Sequence, residues 1–116
     1  ELIICPETGS FHGFKVVRDK NGYAVVLELL ISNKSPRVNG IGSRKCRAKR
    51  VKVLRTHSLV TGERASRAKT FFSRHDRAFK YKLGEWVEEP EFEGSNLKVC
   101  TQGIHFFMTL EEARVY

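Results

Sequence analysis

Short apolar stretches alternate with turn formers along this chain, a pattern of many short strands rather than long helices. Leu2-Ile3-Ile4-Cys5 is apolar and is broken by Pro6 to Gly9. Phe11 to Val17 reads as a strand. Lys20-Asn21-Gly22-Tyr23 reads as the hairpin turn after it, because Asn-Gly accepts the positive φ values of a type I′ turn. Tyr23 to Ile31 is the returning strand, nearly continuous in apolar residues apart from Glu28, which implies cover on both faces. Asn33, Ser35, Pro36, Asn39, Gly40 and Gly42 mark a loop, and Ser43 is placed to cap a short helix from Arg44 to about Lys49. Val51, Val53 and Leu54 form the next strand. His57 to Thr70 is polar, basic and weakly patterned, either a long hairpin tip around Thr61-Gly62 or a mobile loop.

Phe71-Phe72 begins the second half. Phe79 and Tyr81 alternate with Lys80 and Lys82 in a half-buried strand pattern ending at Gly84, and Trp86-Val87 opens another strand before Pro90. Leu97 to Cys100 and Ile104 to Met108 suit a pair of strands around Thr101-Gln102-Gly103. Thr109-Leu110-Glu111-Glu112 is a capping box that starts a helix at Leu110. No internal repeat or low-complexity tract occurs. The pattern predicts an α+β fold: one domain over residues 1–116, mainly antiparallel sheet with one or two short helices.

Composition narrows the class. An apolar fraction of 41% over 116 residues fills one core, which excludes disorder as the main state. No apolar run approaches the roughly 20 residues of a bilayer-spanning helix, so no membrane partner is expected. Glu1 opens the chain without a methionine and no secretory signal pattern precedes the domain, as in a fragment or processed chain. Cys5, Cys46 and Cys100 are odd in number and far apart, which points to buried free thiols in a reducing, cytoplasmic setting.

Charge changes the picture more. The net +8 is unevenly spread: residues 37–82 hold fifteen Lys and Arg against Glu63 and Asp76, a net +13, while the remainder carries −5. Glu85, Glu88, Glu89, Glu91 and Glu93 follow the basic segment directly. Such asymmetry fits an anionic partner, or an acidic stretch folded against the basic one. Arg44, Lys45, Arg47, Lys49 and Arg50 put five cations in seven positions after a Gly-rich loop and at a predicted helix start, where backbone N–H groups and Arg forks bind phosphate. The plainer reading is a solvated face with Cys46 and Ala48 packed inward. The P-loop order is absent.

Other candidates are weaker. His75-Asp76 is either a directional pair or a turn motif. His105 lies on a strand opposite the face of Ile104 and Phe106, as a hydrogen-bonded core residue or a ligand contact. Aromatics interleave with cations in Lys69–Arg74 and Arg77–Lys82, as in single-strand binders or as in core strands with wet lysines. No Cys-x2-Cys, no paired carboxylates in an apolar setting and no Gly-x-Ser-x-Gly elbow occur, so neither metal nor cofactor is expected.

Phe11-x-Gly13-Phe14-Lys15, then Ser43-Arg44-Lys45-Cys46-Arg47-Ala48 with Val51-Lys52-Val53-Leu54, then His75-Asp76 with Phe79-x-Tyr81-x-x-Gly84-Glu85, and finally Cys100-Thr101-x-Gly103-Ile104-His105-Phe106-Phe107 run in a distinctive order. Together they resemble an uncharacterised domain of bacterial, phage and giant-virus proteins that often follows pentapeptide repeats, a domain with no established activity to carry over. Gly103-Ile104-His105-Phe106 with Ala113-x-x-Tyr116, and His12-Gly13 upstream, is similar to segments of poly-ADP-ribose-polymerase-type transferases, with His105 in place of that family's tyrosine. The expectation is a non-catalytic module for a phosphate-bearing ligand: a nucleotide, a nucleotide second messenger or nucleic acid. Arg44, Lys45 and Arg47 would neutralise phosphate, and His75, Asp76 or His105 would direct it. The alternatives are an ADP-ribosyltransferase-like or other nucleotide-processing enzyme using His12 or His105, and a protein-interaction module docking an acidic partner.

Overall fold

The computed structural model describes residues 5–39, 45–60, 69–74, 79–90, 92 and 103–115. Strand β1 (Phe11–Arg18) and strand β2 (Ala24–Ile31) form an antiparallel hairpin in unbroken register from Phe11↔Ile31 to Arg18↔Ala24. The turn between them is not type I′. Among the described residues only glycines have positive φ, and here that is Gly22 at 89° with Asn21 on the ordinary side. The Asp19 carboxylate is the reason. Its Oδ1 accepts from Asn21 N at 2.9 Å and Tyr23 N at 3.0 Å, while Gly22 N donates to Asp19 O at 3.0 Å. An aspartate that captures the next backbone donors favours a three-residue connection closed by one left-handed glycine.

Strand β3 (Arg37–Asn39) pairs with β4 (Cys46–Ala48), so the helix expected from Arg44 to Lys49 is replaced by a strand where the chain is described. Cys46, Arg47 and Ala48 are all buried, and β4 is hydrogen-bonded on both sides, by β3 and by β9 (Ile104–Phe106). Burial on every side chain suits a central strand, whereas an isolated two-turn helix is marginal. Strand β5 (Arg50–Ser58) runs further than its apolar pattern and takes in His57 and Ser58, and the middle of the segment that reads as a loop, residues 61–68, lies outside the described residues. Strands β6 (Thr70–Ser73), β7 (Lys80–Lys82) and β8 (Trp86–Glu88) follow the sequence pattern. The expected strand at Leu97 to Cys100 lies outside the described residues. Strand β9 ends at Phe106, and Phe107 adds a single bridge to Phe14, with both N–H to O distances 2.7 Å.

The larger sheet is antiparallel with order β7-β6-β1-β2-β5-β8, the smaller one β3-β4-β9. Its two outer strands, β7 and β8, are joined by only residues 83–85 and touch. Three residues span little more than 10 Å, so the six strands must curl until their edges meet. Gly84 N donates to Val53 O at 2.8 Å and Val53 N to Glu85 O at 3.0 Å, which fastens this turn to β5. Val17, Leu27, Leu29, Val53, Phe71 and Tyr81 fill the core with Ile104 and Phe106 of the smaller sheet. The approach is close at Gly13: a Cβ there would lie 2.4 Å from Phe106 Cδ2, so the ring occupies the space a side chain would take. Helix α1 (Leu110–Val115) starts where the capping box predicts, with Glu112 N donating to Thr109 Oγ1 at 3.1 Å. It covers the other face of the hairpin, where Ala113 and Leu110 meet Val16, Val26 and Phe14. Both faces of β2 are therefore covered. The chain is one mainly antiparallel β unit with one short C-terminal helix among the described residues.

Candidate functional site

Two polar clusters stand out. The first contains part of the basic segment. Arg47 and His105 are cross-strand partners of β4 and β9. Ile104 and Phe106 are buried and His105 is half-buried, as strand alternation requires. Lys45 leads into β4. Lys15 sits on the Gly13 and Val17 face of β1, where its Nζ donates to His105 O at 3.0 Å. Burial holds the Lys15 ammonium down, and the nearby Lys45 and Arg74 charges add to that, leaving its pKa at about 8. The seam between the two sheets is marked by Lys15 of the larger sheet bonding the His105 carbonyl of the smaller one, and the Lys45 and Arg74 charges lie near enough to act on it.

Arg47 has another role. Its side chain is 2% exposed, with the guanidinium 5.9 Å from the Phe92 ring centroid. At that depth it does not present an open fork at the surface. With β4 a strand, the described residues there contain no helix start to supply N–H donors. Arg44, His75 and Asp76 lie outside the described residues. Of the interleaved aromatics, Phe71 and Tyr81 are buried and Phe72 and Phe79 are half-buried, and burial pushes the Tyr81 phenol up. Part of the acidic stretch does fold on the basic segment, since Glu88 lies 3.9 Å from Lys49 and 4.0 Å from Arg50. Both contacts are half-exposed and long, hence weak.

The second cluster lies on the face that α1 partly covers. Glu28 interrupts the apolar run of β2, and its side chain is only 10% exposed. A buried carboxylate needs partners. Glu28 has three: Oε2 meets His12 Nδ1 at 2.6 Å and Arg55 Nη1 at 2.8 Å, while Oε1 meets His57 Nε2 at 2.8 Å. Burial opposes its ionisation, but hydrogen bonds from His57, Arg55 and His12 and the Arg55 charge win and hold it at about 2. The bonds orient the imidazoles: His12 meets the carboxylate through Nδ1, which leaves Nε2 turned away from Glu28 on a half-exposed ring. The Phe14 ring packs edge-on against His57 at 6.0 Å.

A bulge builds this cluster. The β2–β5 register pairs Glu28 with Arg55 but Leu29 with Val53, so Leu54 is an extra residue. Val51 and Val53 face the core. Without the bulge, Arg55 and His57 would follow them inward. With it, Thr56 turns inward and Arg55 and His57 emerge on the Glu28 face. Pattern reading misses His57 and Arg55 for that reason, and Lys15 and Arg74 because only the fold joins them. The available signal was Glu28 itself, an acid inside a buried strand. Among the described residues no group of His, Cys, Asp or Glu is arranged to hold a metal.

These features define a mainly antiparallel β domain with a cationic seam and a separate carboxylate–imidazole cluster. The chain belongs to the Family of unknown function (DUF5758), whose pattern matches residues 1–113. No curated protein and no solved structure matches it. Among the described residues no helix is long and apolar enough to cross a membrane.

Proposed function

We propose that the chain is a small binding module for a phosphate-bearing ligand, a nucleotide, nucleotide second messenger or nucleic acid, and that it carries out no catalysis. The observation that supports this reading is the buried Lys15 ammonium, which meets the His105 carbonyl at 3.0 Å and is pushed down further by the Lys45 and Arg74 charges. Like charges held together and partly out of water are relieved by an anion. In this reading Lys15, Lys45 and Arg74 neutralise phosphate with Arg44 and Arg47, and His105, His75 or Asp76 gives direction.

A thermal-shift screen of mononucleotides, cyclic dinucleotides and oligonucleotides tests it. A bound ligand raises the melting temperature at saturation. Lys15→Gln and Arg74→Gln should each weaken that response about tenfold or more in affinity, the scale of one charge-assisted contact. Nucleic acid would show a steep log-log loss of affinity with salt, a compact nucleotide a shallow one. No stabilisation by any of these ligands, or equal binding by both variants, refutes the reading. Stabilisation by an acidic polypeptide alone would replace the ligand with an acidic protein partner.

One observation favours an enzyme as the second reading: the buried Glu28 carboxylate orients His12 as a base is oriented in acid–base catalysis. Incubation with labelled nicotinamide dinucleotide tests it, and absence of both turnover and transfer counts against it.

A further inference from the structure

One side of β5, β7 and β8 faces the core, and strand alternation fixes what the other side carries. Val51, Val53 and Tyr81 are buried, and Val87 packs against the same core. Arg50, Lys52, Lys80, Lys82, Trp86 and Glu88 therefore occupy the outer face. Register gathers them. Lys52 is the cross-strand partner of Trp86, and Arg50 of Glu88. Strands β7 and β8 touch. Lys82 and Trp86 flank one tight turn, in which Glu85 N donates to Lys82 O at 3.0 Å. Trp86 is 39% exposed although its neighbour Val87 reaches the core. The Arg50 guanidinium carbon lies 4.1 Å from the ring centroid, a cation–π contact that orients the indole. Lys80 and Lys82 are exposed and Lys52 is half-buried. The acid on this face, Glu88, lies 3.9 Å from Lys49 and 4.0 Å from Arg50. Among the described residues no ion pair engages Lys52, Lys80 or Lys82.

We propose that the outer face of β5, β7 and β8 binds single-stranded nucleic acid, with a base stacked on Trp86 and phosphates met by Arg50, Lys52, Lys80 and Lys82. The chemistry of the face selects this occupant. An open indole offers a flat apolar surface, and an unpaired base has a π-face to lay on it, whereas the bases of a duplex have theirs in the helix stack. Lysines spaced around the ring suit a backbone that carries one charge per nucleotide. An acidic polypeptide would satisfy the cations but has no regular array of planar groups for the indole. This aromatic is separate from those that interleave with cations in Lys69–Arg74 and Arg77–Lys82. The face is also separate from the seam. Lys15 shares the side of the larger sheet on which Gly13 and Val17 meet the core, and Trp86 and Lys52 are on the other side. The inference therefore does not rest on the seam reading.

Trp86 is the single tryptophan of the chain, so tryptophan fluorescence reports this site directly. The full chain is titrated with oligodeoxythymidylate and with oligouridylate of about ten nucleotides, within the site size of one single-strand-binding fold. A mixed-sequence duplex and polyglutamate serve as comparisons. Saturable quenching by either single strand is expected, and a preference between them identifies DNA or RNA as the source. The log-log salt slope should be about −2 to −3, from about −0.7 for each of three or four phosphates. Trp86→Leu should weaken binding about tenfold by anisotropy of a labelled strand, and Trp86→Phe should keep most of the affinity. Lys52→Gln and Lys82→Gln should each make the slope shallower by about 0.7. The titration of the unaltered chain decides the matter even if a variant does not fold. No binding, binding that leaves the tryptophan fluorescence unchanged, a duplex bound as tightly as a single strand, or equal quenching by polyglutamate overturns the proposal. So does loss of strand binding in Lys15→Gln with none in Trp86→Leu, which would put the strand at the seam instead.

Discussion

Replacing Glu28 by Gln keeps the shape of the side chain and removes its charge. The carboxyl ordinarily titrates at 4.5 and is held here at about 2. A shift of that size corresponds to about 3 kcal/mol of folding stability at neutral pH. The sign follows from its direction. Because the folded-state value is depressed, the contribution is fully present above 4.5 and fades as pH falls toward 2. About 2 kcal/mol of it should be gone by pH 3. Discounting is small, since the side chain is 10% exposed. Glu28→Gln should therefore unfold about 3 kcal/mol more easily at pH 7, roughly 10 °C in melting temperature for a chain of this length. The two proteins should approach one another in acid. Urea unfolding of both at pH 7, 5 and 3 measures this directly. Two stability curves that stay parallel over that range would refute the argument, because a constant offset would come from the packing of the amide and not from the ionised cluster.

Three further outcomes follow from the geometry. Gly13→Ala drives a Cβ to within 2.4 Å of the Phe106 ring and should cost about 2 kcal/mol by overpacking, read as a lower urea midpoint, and an unchanged midpoint would show that β9 yields freely. Lys15, lowered from 10.5 to about 8, makes folding more favourable as pH rises between those values, since the unfolded chain then holds the extra proton. An anion at the seam should restore that proton, so calorimetry in buffers of different ionisation enthalpy near pH 9 should detect proton uptake on binding, and the lack of any buffer dependence would remove Lys15 from the site. Thr109→Ala removes the cap of α1 and should cost about 1 kcal/mol, with the loss seen as faster amide exchange at Ala113.

Local chemistry made much of the fold legible. The Phe11–Val17 and Tyr23–Ile31 stretches, the Phe79–Lys82 alternation and the Thr109–Glu112 capping box each specify an element by side chains adjacent in sequence. Failures came where distant residues decide. Cys46-Arg47-Ala48 has the cations of a surface helix, yet pairing with β3 and β9 makes it a central strand. The Asn21-Gly22 pair was overruled by one carboxylate at Asp19. The Glu28 cluster depends on a single extra residue, Leu54, which shifts Arg55 and His57 to a face no alternation count assigns them. Of the expected ligand residues, the fold brings Lys45, Arg47 and His105 together and adds Lys15 from the opposite end of the sequence.

Residues 83–85 link β7 and β8, which touch although the hydrogen-bonded ladder of the larger sheet ends at each of them. In a ribbon each outer strand frays alone. Here the turn at Gly84 bonds to β5 while its flanks belong to opposite ends of the ladder, so detaching it releases both ends in one event. Amides of β7 and β8 should consequently gain and lose exchange protection together, as one cooperative unit, even though the sheet order places them five strands apart.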